Sequence, residues 1–344
     1  MINFGSYLKD YLDYNNISQS EFALRLGISQ KHMNEIINGK KNITLEMAGN
    51  IERLTDISAE FIIKIETKRL FVEELIKQYK DELNISKLIK EEYSFKELKE
   101  KKWIDFKDVT NPLQSCIDIL NFLNVKDFEA HNNLKKYTLF KKSGEDYNKL
   151  ALWIAYCDQI SKEQKINEYS SNNFNNIIND LLIEANKKGI EIYNIKQILN
   201  KYGIFFVCEK ALSGTKVRGC FKVKGKTPAI YITGNYKAKD SLYFELFHEL
   251  GHLKSDYTVA QSKTIIDGDQ IREERADKFA YNTMINEKTW NDIISCIEKN
   301  NISEKIIKES SKKYNIPVCF ITGRLAKNKY IKYSSKLYND YRMV

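Results

Sequence analysis

The stretch His248-Glu249-Leu250-Gly251-His252 decides how this chain is read. Histidine is scarce: the 344 residues include 4, and beside this pair stand only His32 and His131. On a helix, residues i and i+4 share a face, so both imidazoles can reach one metal ion. Glu249 is rotated just off that face, where a carboxylate can take a proton from a water held at the ion.

Two histidines leave a hydrolytic zinc ion one ligand short, because such sites use three protein ligands and keep a fourth position open. A third histidine six residues on, with a glycine between, is excluded by Ser255 and Thr258. The next helical stretch, Ile271-Arg272-Glu273-Glu274-Arg275-Ala276-Asp277-Lys278-Phe279-Ala280, offers a carboxylate instead. Glu273, Ala276, Asp277, Ala280 and Met284 fall on one stripe, and its small residues allow close approach to the first helix. Glu274 falls with Lys278 and Tyr281 on the outer face. Glu273 is therefore the expected third ligand to one Zn2+ per chain, with Glu249 as the catalytic base. Asp277, one turn on, is placed to accept a hydrogen bond from a ligand histidine. An oxyanion-stabilising side chain is also expected; Tyr231, Tyr236, Tyr257 and Tyr281 lie near in sequence and none is singled out.

Upstream, 177–185 and 195–202 have helical spacing. Residues 204–208, 219–223 and 229–232 read as strands, with Lys224-Gly225-Lys226 as a hairpin turn. The motif helix is expected over 239–254. A small sheet leading into a metal-binding helix can set an extended substrate beside the metal, with an edge strand pairing to its backbone.

The pair of motifs, His248-Glu249-Leu250-Gly251-His252 and Glu273 to Ala280, resembles the ImmA/IrrE family of bacterial metallopeptidases over residues 170–344. The resemblance implies a zincin-like core of the glutamate-ligand type and a zinc endopeptidase whose members cleave a DNA-bound repressor or antitoxin. Residues 135–165, with Trp153 and Tyr156 on a helix, resemble the bridge of fused repressor-peptidase members. One position departs: the family often has Glu before the alanine of the second motif, where this chain has Arg275.

The N-terminal 66 residues read as short amphipathic helices. Ser18-Gln19-Ser20-Glu21 is a capping box opening a helix to Leu26, and Gly27 ends it. Ser29 caps a second short helix to Asn38, Gly39 stops it, and Thr44 caps a third carrying Met47, Ile51 and Leu54. Two short helices joined by a tight glycine turn make a helix-turn-helix. The segment 18–41 resembles the XRE-type (Cro/C1) repressor family, and its 38–44 tail resembles the HigA antitoxin branch. Gln30, Lys31, His32 and Asn34, after Ser29, begin the expected recognition helix, where Gln and Asn suit adenine edges and Lys suits guanine or phosphate. Gln19, Lys40 and Lys41 suit phosphate contacts. A protein-docking or dimerisation role for the same module is the other reading.

Composition bounds the rest. A 42% apolar and 29% charged chain is that of a globular protein, and 3 prolines favour helix. The six scattered cysteines read as buried reduced thiols. The start of the chain shows no signal-peptide pattern and no apolar run spans a bilayer, so a cytoplasmic protein without membrane contact is expected. The net charge of +9 sits in the C-terminal half: residues 1–66 carry 7 cations against 9 anions, residues 170–344 carry 29 against 19. Charge alone therefore says little about DNA binding. The lysines of 302–333 are read as a solvated helical face, with a second nucleic-acid surface as the alternative.

The expected architecture is mainly α with a small β-sheet (α+β). Its domains are a helix-turn-helix at 1–66, a helical connector at 67–169, a zincin-like core at 170–286 and a helical subdomain at 287–344. The expected function is a DNA-binding regulator with zinc endopeptidase activity on a partner repressor or antitoxin, working at operator DNA and possible as a homodimer. The alternative is a non-enzymatic, HigA-like antitoxin that binds operator DNA and a partner toxin.

Overall fold

The computed structural model describes residues 3–79, 82–134, 138–139, 146–234, 236–262, 264–265 and 270–343. The expected bridge at 135–165 thus lies partly outside the described residues. Two compact units emerge, residues 1–91 with 106–118, and residues 92–105 with 119–344.

The first unit opens with α1 (Phe4–Tyr14), α2 (Gln19–Leu26), α3 (Gln30–Ile37), α4 (Leu45–Thr55), α5 (Ala59–Tyr79) and α6 (Glu82–Glu91). The caps read from sequence are in place: the hydroxyls of Ser18, Ser29 and Thr44 accept the backbone N–H of Glu21, His32 and Met47. Gly27 closes α2 at φ +70°, a left-handed conformation that a side chain would strain. Phe4, Leu8, Phe22, Met33, Ile36 and Ile51 form the core between these helices. The α5 helix runs unbroken past residue 66, and its Glu66 and Arg69 bury as an ion pair at 2.7 Å, 6% and 3% exposed. Glu66 also accepts the N–H of Ile43, while Arg69 donates to the Gly39 carbonyl and to Asn42 Oδ1. An unpaired charge there would be costly, so the pair fixes the loop after α3.

After α6 the chain forms α7 (Phe95–Lys101), α8 (Pro112–Leu123), α9 (Phe128–Leu134), β1 (Thr138–Leu139), α10 (Tyr147–Ser161), α11 (Phe174–Ala185) and α12 (Ile192–Lys201). Then come β2 (Phe205–Cys208), β3 (Gly219–Lys224), β4 (Thr227–Ile232), α13 (Lys239–Ala260), β5 (Thr264–Ile265) and α14 (Gln270–Met284). The chain closes with α15 (Glu287–Asn300), α16 (Glu304–Tyr314), α17 (Val318–Lys327) and α18 (Lys336–Asn339).

Among the described residues the sheet has five strands in the order β1-β5-β3-β4-β2. The β3–β4 hairpin is antiparallel from Gly219↔Ile232 to Lys224↔Thr227, and β2 adds to β4 in parallel. The α13 helix packs on this sheet and carries the core with Leu246, Phe247 and Leu250 against Phe206, Phe221 and Ile230. On α10, Trp153 is fully buried and donates to the Glu209 carbonyl at 2.9 Å. The protein is thus mainly α with a small mixed sheet, and no helix among the described residues is long and apolar enough to cross a membrane.

Two local expectations change. The motif helix extends to Ala260 rather than 254, because nothing in 255–260 breaks a helix and Asp256 is held by a side-chain contact on its own face. Four cysteines are buried, but Cys208 is half-buried and Cys296 is exposed on the outer face of α15. His131 is packed, stacked on Tyr147 with Nε2 3.2 Å from Asn148 Oδ1.

Candidate metal centre and helix-turn-helix

The α13 helix is buried along most of its length, with its polar residues gathered where α14 crosses it. The crossing is close at Gly251: a Cβ there would stand 3.1 Å from the Ala276 Cα and 3.2 Å from the Phe279 ring. This approach brings Glu273 to the histidines. His248, His252 and Glu273 are buried, and their ligand atoms all lie within 4.8 Å of one another. The two Nε2 atoms are 3.1 Å apart, and the Glu273 carboxylate is 3.3 Å from each through a different oxygen.

The outer nitrogens of both rings face carboxylates. His248 Nδ1 is 2.9 Å from Asp277 Oδ1, and His252 Nδ1 is 2.9 Å from Asp256 Oδ2. A carboxylate at Nδ1 fixes the ring's orientation and leaves Nε2 facing inward. Two Nε2 atoms turned toward one another beside the Glu273 carboxylate are a donor set that, once each imidazole gives up its inner proton, fits a small cation. Sequence reasoning missed Asp256. The same four-residue spacing that links His248 to His252 would have found it. Asp256 in turn is held by Arg275 and by Arg272 at 3.4 Å. The Arg275 that departs from the ImmA/IrrE pattern thus reaches Asp256, away from the ligand set. Glu274 is exposed and accepts from Gln270 at 2.7 Å.

Charge in this cluster is finely opposed. Burial pushes both imidazoles toward the neutral form, but hydrogen bonds to carboxylates outweigh it. His248 is raised to about 11 by Asp277 and Glu273, and His252 to about 9 by Asp256 and Glu273. Burial raises Glu273 less than the two histidines lower it, leaving it well below the usual carboxylate range. Glu249 goes the other way: burial lifts it above that range despite the histidines nearby. Its Oε2 has no hydrogen-bond partner among the described residues. The carboxylate rests against Gly219 at the start of β3, where a Cβ would overlap it. Backbone without a side chain is what lets the sheet approach Glu249, another feature the sequence reading did not single out.

The four tyrosines part ways. Tyr231 donates to Asp158 at 2.7 Å under α10, and Tyr257 donates to the Lys226 carbonyl. Tyr236 and Tyr281 both line a cleft of about 610 Å³ that begins beside Phe244 and Glu245, one turn before His248 and Glu249.

In the first unit, Gln30, Lys31 and Asn34 are exposed on α3, opposite the buried Met33, Ile36 and Ile37. His32 is half-buried, Gln19 is half-buried at the start of α2, and Lys40 and Lys41 are exposed after Gly39. The Ser29 hydroxyl is engaged in capping, and Asn34 Oδ1 accepts from Asn38. A helix-turn-helix family model matches residues 8–62, which identifies this segment as a helix-turn-helix module of the DNA-binding kind. No curated protein and no solved structure matches the chain.

Proposed function

We propose that this protein is a DNA-binding regulator whose C-terminal half is a zinc-dependent endopeptidase acting on a partner repressor or antitoxin. The observation that carries the reading is the convergence of His248, His252 and Glu273 with a buried Glu249 beside them, whose Oε2 has no hydrogen-bond partner among the described residues. A purely structural metal site has no use for such a carboxylate. A zinc ion held by the three ligands would supply Lewis acidity, polarising a peptide carbonyl and acidifying the attacking water.

The remaining steps belong to the chain's own groups. Glu249, lifted toward neutrality by burial, is suited both to accept a proton at a carboxylate oxygen and to return it to the departing amine. Asp277 and Asp256 hold the imidazole rings in one orientation. The helix-turn-helix supports a substrate that meets the chain at DNA.

The test is Glu249→Gln in the full chain, beside Glu273→Ala. Wild-type protein with bound zinc should cleave a partner transcription factor or antitoxin encoded beside it. Glu249→Gln should keep zinc and DNA binding but lose cleavage, and Glu273→Ala should lose zinc. Biological activity intact in Glu249→Gln would sink the peptidase reading and leave the non-enzymatic antitoxin.

A further inference from the structure

We propose that the cleft running from Phe244 and Glu245 toward α17 is a subsite that selects an acidic, aromatic-bearing peptide segment on one side of the scissile bond. The proposal rests on the peptidase reading above and adds its substrate class. The cleft is tied to the metal centre by three elements at once. On α13, Phe244 and Glu245 precede His248 and Glu249 by one turn; on α14, Tyr281 follows Asp277 by one turn; just before β3, Arg218 precedes the Gly219 that seats Glu249. The Phe244 ring joins the two regions, 6.3 Å from the His248 ring and 4.7 Å from that of Tyr281. Four helical residues rise about 6 Å, so the cleft begins about two extended peptide residues from the metal ligands.

Its lining is strongly one-sided. Arg218, Lys237, Arg324, Lys327 and Arg342 face it, against the carboxylates of Asp240 and Glu245. Arg324 is engaged, donating to the Ile285 carbonyl and lying 4.5 Å over the Trp290 ring. Asp240 is engaged too, accepting from the Tyr338 hydroxyl at 3.3 Å. Arg218, Lys237, Lys327 and Arg342 have no ion-pair partner among the described residues and remain available to a ligand. Between these cations the wall is apolar, with Met284, Ile285 and Phe320. Cations around an apolar floor complement a peptide that alternates carboxylates with aromatic side chains. A polynucleotide would leave the apolar wall unused and meet two carboxylates. Part of the positive excess of the C-terminal half thus has a local address.

The experiment uses full-length Glu249→Gln protein and short fluorescent peptides of alternating Glu and Phe, with a Lys-for-Glu counterpart, read by anisotropy at about 0.15 M salt. The acidic peptide should bind at least about tenfold more tightly than the lysine peptide. Reversing two exposed cations, Lys237→Glu with Lys327→Glu, should abolish that preference, with zinc content reporting that the fold is kept. Equal binding of the two peptides, or an unchanged preference in the reversed variant, would overturn the proposal. So would a single-stranded oligonucleotide of equal charge that displaces the acidic peptide at lower concentration than the peptide itself.

Digestion of a peptide library by the wild-type protein separates the two readings. Cuts enriched in Asp and Glu within about two to four residues on one side support the subsite. Cuts without that enrichment overturn the subsite and leave the peptidase standing. No cuts, with the acidic preference intact in binding, support the cleft as an acidic-peptide site and remove the peptidase.

Discussion

Asp256 Oδ2 lies 2.9 Å from His252 Nδ1, one helical turn further along the same face of α13, with Arg272 and Arg275 of the neighbouring helix behind it. The ring of His252 is therefore oriented by its own helix, and that of His248 by Asp277 on α14. Carboxylates in this position typically change metal affinity by about 10- to 100-fold. Asp256→Ala should weaken zinc binding by that amount and Arg275→Ala by less. Competition against a chromophoric chelator measures both, and unchanged affinity in Asp256→Ala would remove its orienting role.

The close crossing at Gly251 makes a second expectation. A β-branched side chain there meets the Ala276 backbone, which cannot rotate aside. Gly251→Val should displace α14, carry Glu273 away from the histidines and cost about 1–3 kcal/mol of stability. Both losses should appear together, as a lower denaturation midpoint and less than one zinc per chain by mass spectrometry. A variant that keeps full zinc occupancy would show that α14 is not held by this contact.

Asp240 supplies the pH dependence. Burial raises its carboxyl to about 6, more than its hydrogen bonds lower it. The folded chain then binds more protons than the unfolded one between about pH 4 and 6, so this residue's contribution falls as pH rises through that window and is level above it. A shift of about two pH units corresponds to of order 3 kcal/mol. Asp240→Asn should flatten that part of the stability profile measured by urea denaturation. A profile unchanged between pH 4 and 6 would count against it.

For the helix-turn-helix, Lys40→Ala with Lys41→Ala should lower the slope of log affinity against log salt by about 2 on nonspecific duplex DNA. Gln30→Ala with Lys31→Ala should instead change which sequences are preferred. Unaltered salt dependence in the first variant, or unaltered operator binding in the second, would refute the face assigned to DNA.

Much of this was legible in the sequence because helical spacing is a local code. The caps at Ser18, Ser29 and Thr44, the turn at Gly27 and the hairpin through Gly225 each depend on a few adjacent residues. The choice of Glu273 over Glu274 rested on one stripe of small residues, and the crossing of α13 and α14 brings Glu273, not Glu274, to the histidines. What stayed hidden depends on distance in the chain. Gly219 gains meaning only when β3 comes against Glu249, thirty residues later, and Arg218 only when the cleft forms around it. The Arg69 pairing with Glu66 was equally silent, since its partners Gly39 and Asn42 lie before α4. Nothing in a charged helix announces which of its residues will be buried.

Phe244, His248, His252 and Asp256 stand at successive four-residue steps of α13: a wall of the cleft, two candidate metal donors and the carboxylate that steers one of them. Each residue of an α-helix turns the chain by about 100°. One inserted or deleted residue within this stretch would swing every later member off the shared face while leaving composition and helicity almost unchanged. Descendants of this gene should therefore tolerate many single replacements between these positions, yet no change in length from 244 to 256. Counting residues in that interval is a simple way to tell a working copy from a decayed one.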